Sequence, residues 1–248
     1  MNRTLLTTLV LSSTAACTAA ANANLVFMRG YTNQSNNQHT QLLGFNSIAD
    51  MAMATTSNAF VSLAFNTNVA FVADYFFTDG TRYYRTSQTS SGINQIYQYG
   101  ENIQNVLTGN ILSQHNLSQT WSTNDDFFAD SEGNFYRNSS SASGSTGVTR
   151  YSSFANLLAG IGTSLNYGTT YGFDDAFWSY GGKFYRTNTN SGNVTGVAEY
   201  ASFDALINRQ VTTTYAGNGS VKDIFMTVPA PGALALLGLA GVATRRRR

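Results

Sequence analysis

The chain is poor in cysteine, proline, histidine and charged residues. Its 248 residues include one cysteine, two prolines and two histidines, and 11% of them are charged. A single cysteine excludes disulfide bonds within the chain and metal sites that need several thiolates. Both prolines, Pro229 and Pro231, stand close to the C-terminus, so proline interrupts no element before them.

The sequence also has few features of an enzyme. His39 and His115 have no second metal-ligating residue at a suitable spacing, and we expect both in loops. No Gly-x-Ser-x-Gly motif is present. The acid pairs Asp125-Asp126 and Asp174-Asp175 could supply the two carboxylates that a glycosidase needs. Neighbouring residues in a strand point to opposite faces, however, so the two carboxylates of each pair are poorly placed to act together. The sequence therefore favours a non-catalytic protein without cofactor or metal, with a secreted glycan-active hydrolase as the alternative.

Residues 1–23 predict a secretory signal peptide. Arg3 supplies the positive charge, Leu5–Ala16 forms a short apolar run, and Ala21 and Ala23 are the small residues of the cleavage site. A buried N-terminal helix and a lipoprotein signal at Cys17 are the alternatives. Cleavage would remove Cys17 and leave the exported protein without a thiol.

Residues 228–248 combine a proline motif, an uncharged stretch that reaches Thr244, and a basic end at Arg245, Arg246, Arg247 and Arg248. The motif is Val228, Pro229, Ala230, Pro231 and Gly232. Together these features resemble the PEP-CTERM sorting signal of Gram-negative bacteria, with Ala230 where the family usually has glutamate. The resemblance implies membrane insertion, processing by an exosortase-type enzyme, and release or attachment at the cell surface. A permanent membrane anchor is the alternative, because 17 uncharged residues from Val228 lie at the lower limit for a membrane span. The arginines would then stay on the cytoplasmic side.

The segment between these signals, residues 24–227, forms the predicted body. It contains 9 of the 14 basic residues and all 13 acidic ones, a net charge of −4. This charge argues against nucleic acid or an anionic membrane as its partner. The chain has 14 tyrosines and 16 phenylalanines, interrupted by Gly, Asn and Ser, which favours strands over disorder. We predict an all-β body with few helices.

Three segments of 12 residues in the body are similar to one another. They read DYFFTDGTRYYR (Asp74–Arg85), DFFADSEGNFYR (Asp126–Arg137) and DAFWSYGGKFYR (Asp175–Arg186). Each opens with Asp-x-Phe, closes with aromatic-Tyr-Arg, and has glycine at its centre. Two aromatic runs around such a centre predict a β-hairpin with a tight turn.

A second element follows each hairpin at a fixed distance. Tyr99, Tyr151 and Tyr200 each lie 14 residues beyond the hairpin arginine. Ser153 and Ser202 then precede an apolar pattern that predicts an N-capped helical turn. We expect the polar segment between hairpin and tyrosine, such as TNTNSGN, to be a loop.

The ends of the body hold the two halves of one more unit. Phe27-Met28-Arg29 matches the second hairpin strand, and Asp223-Ile224-Phe225 matches the first. Four acidic positions spaced by 52, 49 and 48 residues suit the blades of a propeller closed by pairing of the two ends. A two-sheet sandwich and an open solenoid are the alternatives. The nearest named architecture that this pattern resembles is the four-bladed hemopexin-like propeller, from which no function is carried over.

The recurring acids have two interpretations. Asp74, Asp126, Asp175 and Asp223 either line a channel, where they would hold a cation such as Ca²⁺, or they pair with the arginine of their own blade. Identical placement in every unit favours the second interpretation. Of the two tryptophans, we expect Trp178 in the core and Trp121 on the surface. The sequence thus predicts an exported envelope or extracellular-matrix protein that interacts with proteins or exopolysaccharide.

Overall fold

The computed structural model describes residues 26–33, 38–53, 58–59, 61–65, 74–220 and 223–228. Within these residues the chain forms sixteen strands and four short helices. In chain order they are β1 (Val26–Asn33), β2 (Gln38–Phe45), α1 (Ile48–Met53), β3 (Val61–Ala64), β4 (Phe76–Thr78), β5 (Tyr83–Thr89), β6 (Gly92–Tyr99), α2 (Ile103–Thr108), β7 (Ile111–Trp121), β8 (Asp126–Ala129), β9 (Phe135–Ser141), β10 (Gly144–Tyr151), α3 (Phe154–Ala159), β11 (Thr163–Tyr171), β12 (Phe177–Tyr180), β13 (Lys183–Asn190), β14 (Asn193–Tyr200), α4 (Phe203–Ile207), β15 (Val211–Ser220) and β16 (Ile224–Val228). None of the helices in these ranges has the length and apolar character needed to cross a membrane.

The strands form four antiparallel sheets, which are the blades of a four-bladed β-propeller. Blade 1 has the strand order β4-β5-β6-β7, blade 2 β8-β9-β10-β11, blade 3 β12-β13-β14-β15 and blade 4 β16-β1-β2-β3. The first strand of each blade contacts the first strands of both neighbouring blades around the axis. The predicted all-β architecture with four repeats is confirmed.

Blade 4 joins segments from opposite ends of the body. Strand β16 pairs antiparallel with β1, from Gly30 opposite Ile224 to Val26 opposite Val228. The predicted pairing of the two terminal segments is therefore confirmed, and it closes the ring. Val228, the first residue of the predicted sorting segment, is also the last residue of β16.

The predicted hairpins are present as the first two strands of blades 1 to 3. In blade 3 the turn between β12 and β13 consists of Gly181 and Gly182, with φ of 57° and 77°. Positive φ at both residues is typical of a type I′ turn, one of the two-residue turns that match the twist of the strands, and glycine adopts this conformation without strain.

Apolar side chains are buried between neighbouring blades rather than in one central core. The interface of blades 3 and 4 contains Phe45, Trp178, Tyr185 and Phe225, and similar clusters fill the other three interfaces. On the axis, side chains from all four first strands meet and leave a cavity of about 10 Å³, which is about the space of one water molecule. Side chains therefore fill the centre of the propeller at this point along its axis.

The helical turns also lie where the sequence predicts them. Ser153 and Ser202 accept hydrogen bonds from the N–H groups of Asn156 and Ala205 at the starts of α3 and α4. Helices α1, α3 and α4 each pack on the last strand of the preceding blade, β15, β7 and β11 respectively. Each helix therefore covers the rim of an interface between two blades.

Two expectations about loops are wrong. The polar segment TNTNSGN is not a loop, because β13 continues to Asn190 and β14 begins at Asn193. His115 lies in β7 and His39 in β2, so both histidines belong to strands. The end of β13 and the start of β14 are polar because Asn190 and Asn193 are exposed.

The two tryptophans are both buried, which confirms the expectation for Trp178 and corrects that for Trp121. Only 4% of the surface of Trp121 is exposed. The guanidinium of Arg137 lies 5.1 Å from the centre of its ring. Trp121 therefore packs against a partly buried arginine of the next blade.

Candidate functional site: an aromatic groove between blades 3 and 4

Three of the four acids singled out in the sequence pair with the arginine of their own blade. Asp223 lies 2.7 Å from Arg29, Asp74 lies 3.6 Å from Arg85, and Asp175 contacts Arg186. In blade 2 the partner of Arg137 is Asp125, at 2.8 Å, and not Asp126. Pairing within the blade is thus the arrangement observed.

The difference between Asp125 and Asp126 is one of register. Both acids stand two residues before a phenylalanine, but Phe127 is the one that lies opposite Arg137. Phe177 is likewise opposite Arg186 in blade 3. Because the turn of blade 2 is longer, a constant spacing of 12 residues in the sequence selected the wrong aspartate.

The aspartates that pair with arginine in blades 1 to 3 also accept a backbone hydrogen bond from the second strand of their own blade. Asp125 accepts from Ser140 N at 3.3 Å and Asp175 from Thr189 N at 3.1 Å, while Asp74 accepts from Gln88 N at 3.3 Å. The acids therefore tie the first strand of the blade to the second. Among the residues that the structure describes, no group of three His, Cys, Asp or Glu side chains is arranged to hold a metal ion.

Asp126 has a different role, since it links two blades. It accepts hydrogen bonds from its neighbour Phe127 N at 2.9 Å and from Phe177 N of blade 3 at 2.8 Å. Burial raises the pKa of Asp126 to about 7, and the nearby carboxylates of Asp125 and Asp175 act in the same direction. Its burial separates it from any ligand at the surface.

An open groove lies at the rim between blades 3 and 4. Its volume is about 380 Å³, within the usual range for ligand pockets. The groove is bounded by the β12–β13 turn and by the start of α1, and aromatic rings form much of its wall. The rings are those of Phe27, Tyr180, Tyr185 and Tyr215.

The polar centre of the groove is Glu199, whose side chain is 6% exposed. One carboxylate oxygen accepts a hydrogen bond from Lys183 Nζ at 2.6 Å, and the other accepts from the Tyr215 hydroxyl at 3.1 Å. Tyr185 lies opposite Glu199 in the sheet and also lines the groove. Burial and then Glu199 raise the pKa values of both tyrosines, so the phenols stay protonated and neutral.

The groove arises where blade 4 departs from the repeat. Helices α3 and α4 begin with Phe154 and Phe203, whose rings pack 4.9 Å from Tyr84 and 4.7 Å from Tyr136, respectively, in the preceding blade. Tyr185 is the equivalent tyrosine of blade 3, but α1 begins with Ile48. The smaller side chain leaves open the space that a phenyl ring fills at the other two rims.

The polar residues of the groove also depart from the repeat. Glu199 lies opposite Tyr185, and the residues at the same place in blades 1, 2 and 4 are Gln98, Arg150 and Gly44. Tyr215 likewise replaces the His115 of blade 1 and the Leu165 of blade 2. Residues that recur build the blades, whereas buried polar residues particular to one blade indicate a site.

The interface of blades 4 and 1 resembles the groove in one respect, because α2 also begins with isoleucine. This residue, Ile103, is fully buried. Met28 and Leu63 occupy the positions of Tyr185 and Tyr215 there. A further depression of about 490 Å³ on blade 2 is lined by Arg150, Asn156 and Leu165 among others and has no aromatic wall.

Sequence reasoning did not identify the groove residues. The available signal was the rarity of two residue types, since Lys183 is one of two lysines in the chain and Glu199 is one of three glutamates. The remaining predicted residues, Ala21, Ala23, Pro229, Ala230, Pro231, Gly232 and Arg245 to Arg248, lie outside the described residues.

Comparison with known proteins gives no family for this chain. No protein-family model and no curated protein matches it. Among solved structures it is similar to apo AztD from Citrobacter koseri, with 9% identity, a TM-score of 0.29, and coverage of 72% of this chain and 46% of that one. A second structure of AztD from the same organism matches with 8% identity, a TM-score of 0.29, and coverage of 79% and 48%. The chain thus spans about half the length of these structures, and so distant a likeness gives no information on what it binds.

Proposed function

We propose that this chain is an exported, non-catalytic protein of the cell envelope or extracellular matrix, whose propeller body binds other proteins or polysaccharide. The observation that carries this proposal is the groove between blades 3 and 4. It presents aromatic rings and hydroxyl groups but one carboxylate, that of Glu199. Glycosidases generally need two carboxylates, about 5 to 10 Å apart.

Export and processing are supported by the sequence at both ends of the body. Residues 1–23 have the order of charge, apolar run and small residues of a signal peptide. Residues 228–248 resemble a sorting signal for an exosortase-type enzyme, which would act at the membrane. We expect mass spectrometry of native material to find a chain that begins near residue 24 and lacks Arg245–Arg248. An intact basic end would contradict processing, and full-length protein in the cytoplasm would contradict export.

The binding role is tested by incubating the purified protein with envelope proteins and exopolysaccharide from its own source. We expect retention on at least one of these fractions and no turnover of a panel of glycosidase substrates. Turnover that disappears in Asp126→Asn or Asp175→Asn would favour the alternative, a glycan-active hydrolase.

A further inference from the structure

We propose that the groove between blades 3 and 4 binds a neutral sugar residue of a polysaccharide. This inference rests on the proposed binding function and gives it a site and a ligand class. Its basis is the combination of aromatic rings, a buried hydrogen-bonding group and balanced charge at one place in the propeller.

The aromatic wall provides the apolar part of such a site. Tyr180 and Tyr215 are partly buried, so one part of each ring packs in the interface and another part borders the groove. The ring of Tyr180 is held edge-on against Phe27, with 6.1 Å between their centres. Aromatic rings held by packing supply contact area at little cost in conformational entropy, and the C–H faces of a pyranose ring are apolar enough to stack on them.

The polar groups match the hydroxyl groups of a sugar, which both donate and accept hydrogen bonds. The Glu199 carboxylate has more acceptor sites than its protein donors occupy, and Lys183 Nζ has three donors of which Glu199 takes one. The Lys183 side chain is half exposed and borders the opening. A hydroxyl group next to this pair would therefore find an acceptor and a donor on the same side.

The charge of the groove indicates a neutral ligand. Lys183 and Glu199 compensate each other, and the phenols of Tyr185 and Tyr215 are uncharged. A uronic acid would bring a second carboxylate close to Glu199, and an amino sugar would bring a second cation close to Lys183; both are unfavourable in a partly desolvated site. The volume of about 380 Å³ is small for an extended peptide and suits one or two sugar rings.

The decisive experiment fills the groove with the residue that the repeat places there. In Ile48→Phe the new ring would occupy the space over Tyr185, as Phe154 does over Tyr84. With neutral hexose oligosaccharides as the probe and calorimetry on the full chain as the readout, we expect binding to the unaltered protein. We expect at least tenfold weaker binding to Ile48→Phe, with an unchanged thermal unfolding temperature. The reverse exchange at another rim, Phe154→Ile, is the matched control and should leave binding unchanged.

Two further variants use residues that other blades already tolerate. Glu199→Gln introduces the residue of blade 1, and Tyr215→Leu introduces the residue of blade 2. Glu199→Gln replaces an acceptor oxygen by an NH2 donor and leaves Lys183 without its counter-charge, and Tyr215→Leu removes a hydroxyl group. We therefore expect at least a tenfold loss of affinity for each variant while the circular dichroism spectrum stays the same. Leu165→Ala on blade 2 serves as the control for Tyr215→Leu.

Several results would overturn the inference. They are the absence of binding to any neutral oligosaccharide, a preference for uronic acids or amino sugars, and binding that persists in Ile48→Phe. Retention of envelope proteins that is lost in Ile48→Phe would also overturn it, because the groove would then be a protein-binding site. In that last case the proposed interaction function would still hold.

Discussion

At the scale of single residues, the propeller is organised around an arginine that recurs in every blade, buried in blades 1, 3 and 4 and partly buried in blade 2. Arg29 is fully buried and donates to Asp223 and to the carbonyl oxygens of Met51 and Ala52. Its guanidinium also lies 4.9 Å from the centre of the Phe225 ring. A buried charge is tolerated only when it is paired and hydrogen bonded, and here the same contacts join two strands and a helix of blade 4.

Asp126 gives rise to a prediction about pH. Its pKa is about 7 in the fold and about 4 in the unfolded chain. Between these values the folded protein binds one proton more than the unfolded chain, so this residue makes stability fall as pH rises from about 4 to about 7. In Asp126→Asn one of the two backbone N–H donors loses its acceptor, at a cost of about 1–3 kcal/mol. We expect this deficit in the free energy of unfolding, relative to the unaltered protein, to be largest near pH 4.5 and smaller at pH 8. Urea unfolding at the two pH values measures it.

The control for this prediction is Asp204→Asn, because Asp204 is exposed on α4. Its difference from the unaltered protein should be small at both pH values. A deficit of Asp126→Asn that stays constant from pH 4.5 to 8 would mean that Asp126 is already ionised in the fold at the lower pH.

At the scale of elements, the third strand of blade 2 begins at a point of close backbone approach. Gly144 has φ of 114°, and a Cβ atom on it would lie 2.3 Å from the carbonyl oxygen of Tyr171 at the end of β11. Gly92 has the same place in blade 1, with Trp121 O at 2.2 Å. In both blades the end of the last strand lies beside the glycine that begins the third strand, and the pairing of the two strands contains a β-bulge at this point. Only glycine fits there, because a side chain would overlap with the end of the last strand.

This geometry predicts unequal effects of two glycine substitutions in blade 2. Gly144→Ala combines a backbone conformation unfavourable for alanine with a steric overlap, and we expect a loss of about 3 kcal/mol in the free energy of unfolding. Gly133→Ala shares the positive φ but has no atom within 4 Å of its Cβ position, so about 1 kcal/mol is expected. Equal losses in urea unfolding would show that the overlap at Gly144 is relieved by movement of β11.

The elements also show which parts of the structure were accessible from the sequence. The hairpins, the helical turns and the closing strand pair were predicted because each has a local signal that recurs, such as glycine at the turn or serine before the helix. The last strands of the blades were not predicted, because β7, β11 and β15 are exposed and rich in Ser, Thr and Asn, which resembles a loop. Trp121 was misplaced for the same reason, since it ends one of these strands.

The groove could not be predicted because it depends on contacts between blades. Ile48, Phe154 and Phe203 stand at equivalent places in the sequence, but their difference in size has a meaning only once each helix is known to cover the preceding blade. The sequence pattern selected Asp126 instead of Asp125 for a similar reason. The turn of blade 2 is longer, so the aspartate that pairs with Arg137 stands one position earlier in the sequence than the pattern predicts. A repeat pattern thus identifies the scaffold, and the residues that break it become informative only on the folded scaffold.

At the scale of the whole molecule, ring closure couples the four blades. In an open array of repeats, each unit contacts only its neighbours and the terminal units can unfold alone. Here blade 4 contains both terminal strands, and β16 also contacts the first strands of blades 1 and 3. Loss of β16 would therefore remove contacts from three blades at once.

Phe225→Ala tests this coupling. The Phe225 ring stacks on Trp178 of blade 3 with 5.4 Å between centres, and it is buried. Removal of such a ring costs about 3–5 kcal/mol, and in a closed ring this loss should lower the stability of all four blades together. We expect a single urea transition at a lower midpoint, and faster amide hydrogen exchange in blades 1 and 2 as well as in blades 3 and 4. Leu112→Ala, at a side chain that is 62% exposed on β7, should leave both measurements unchanged. Faster exchange confined to β1 and β16 in Phe225→Ala would mean that the terminal strands separate without the rest, and that the ring can open locally.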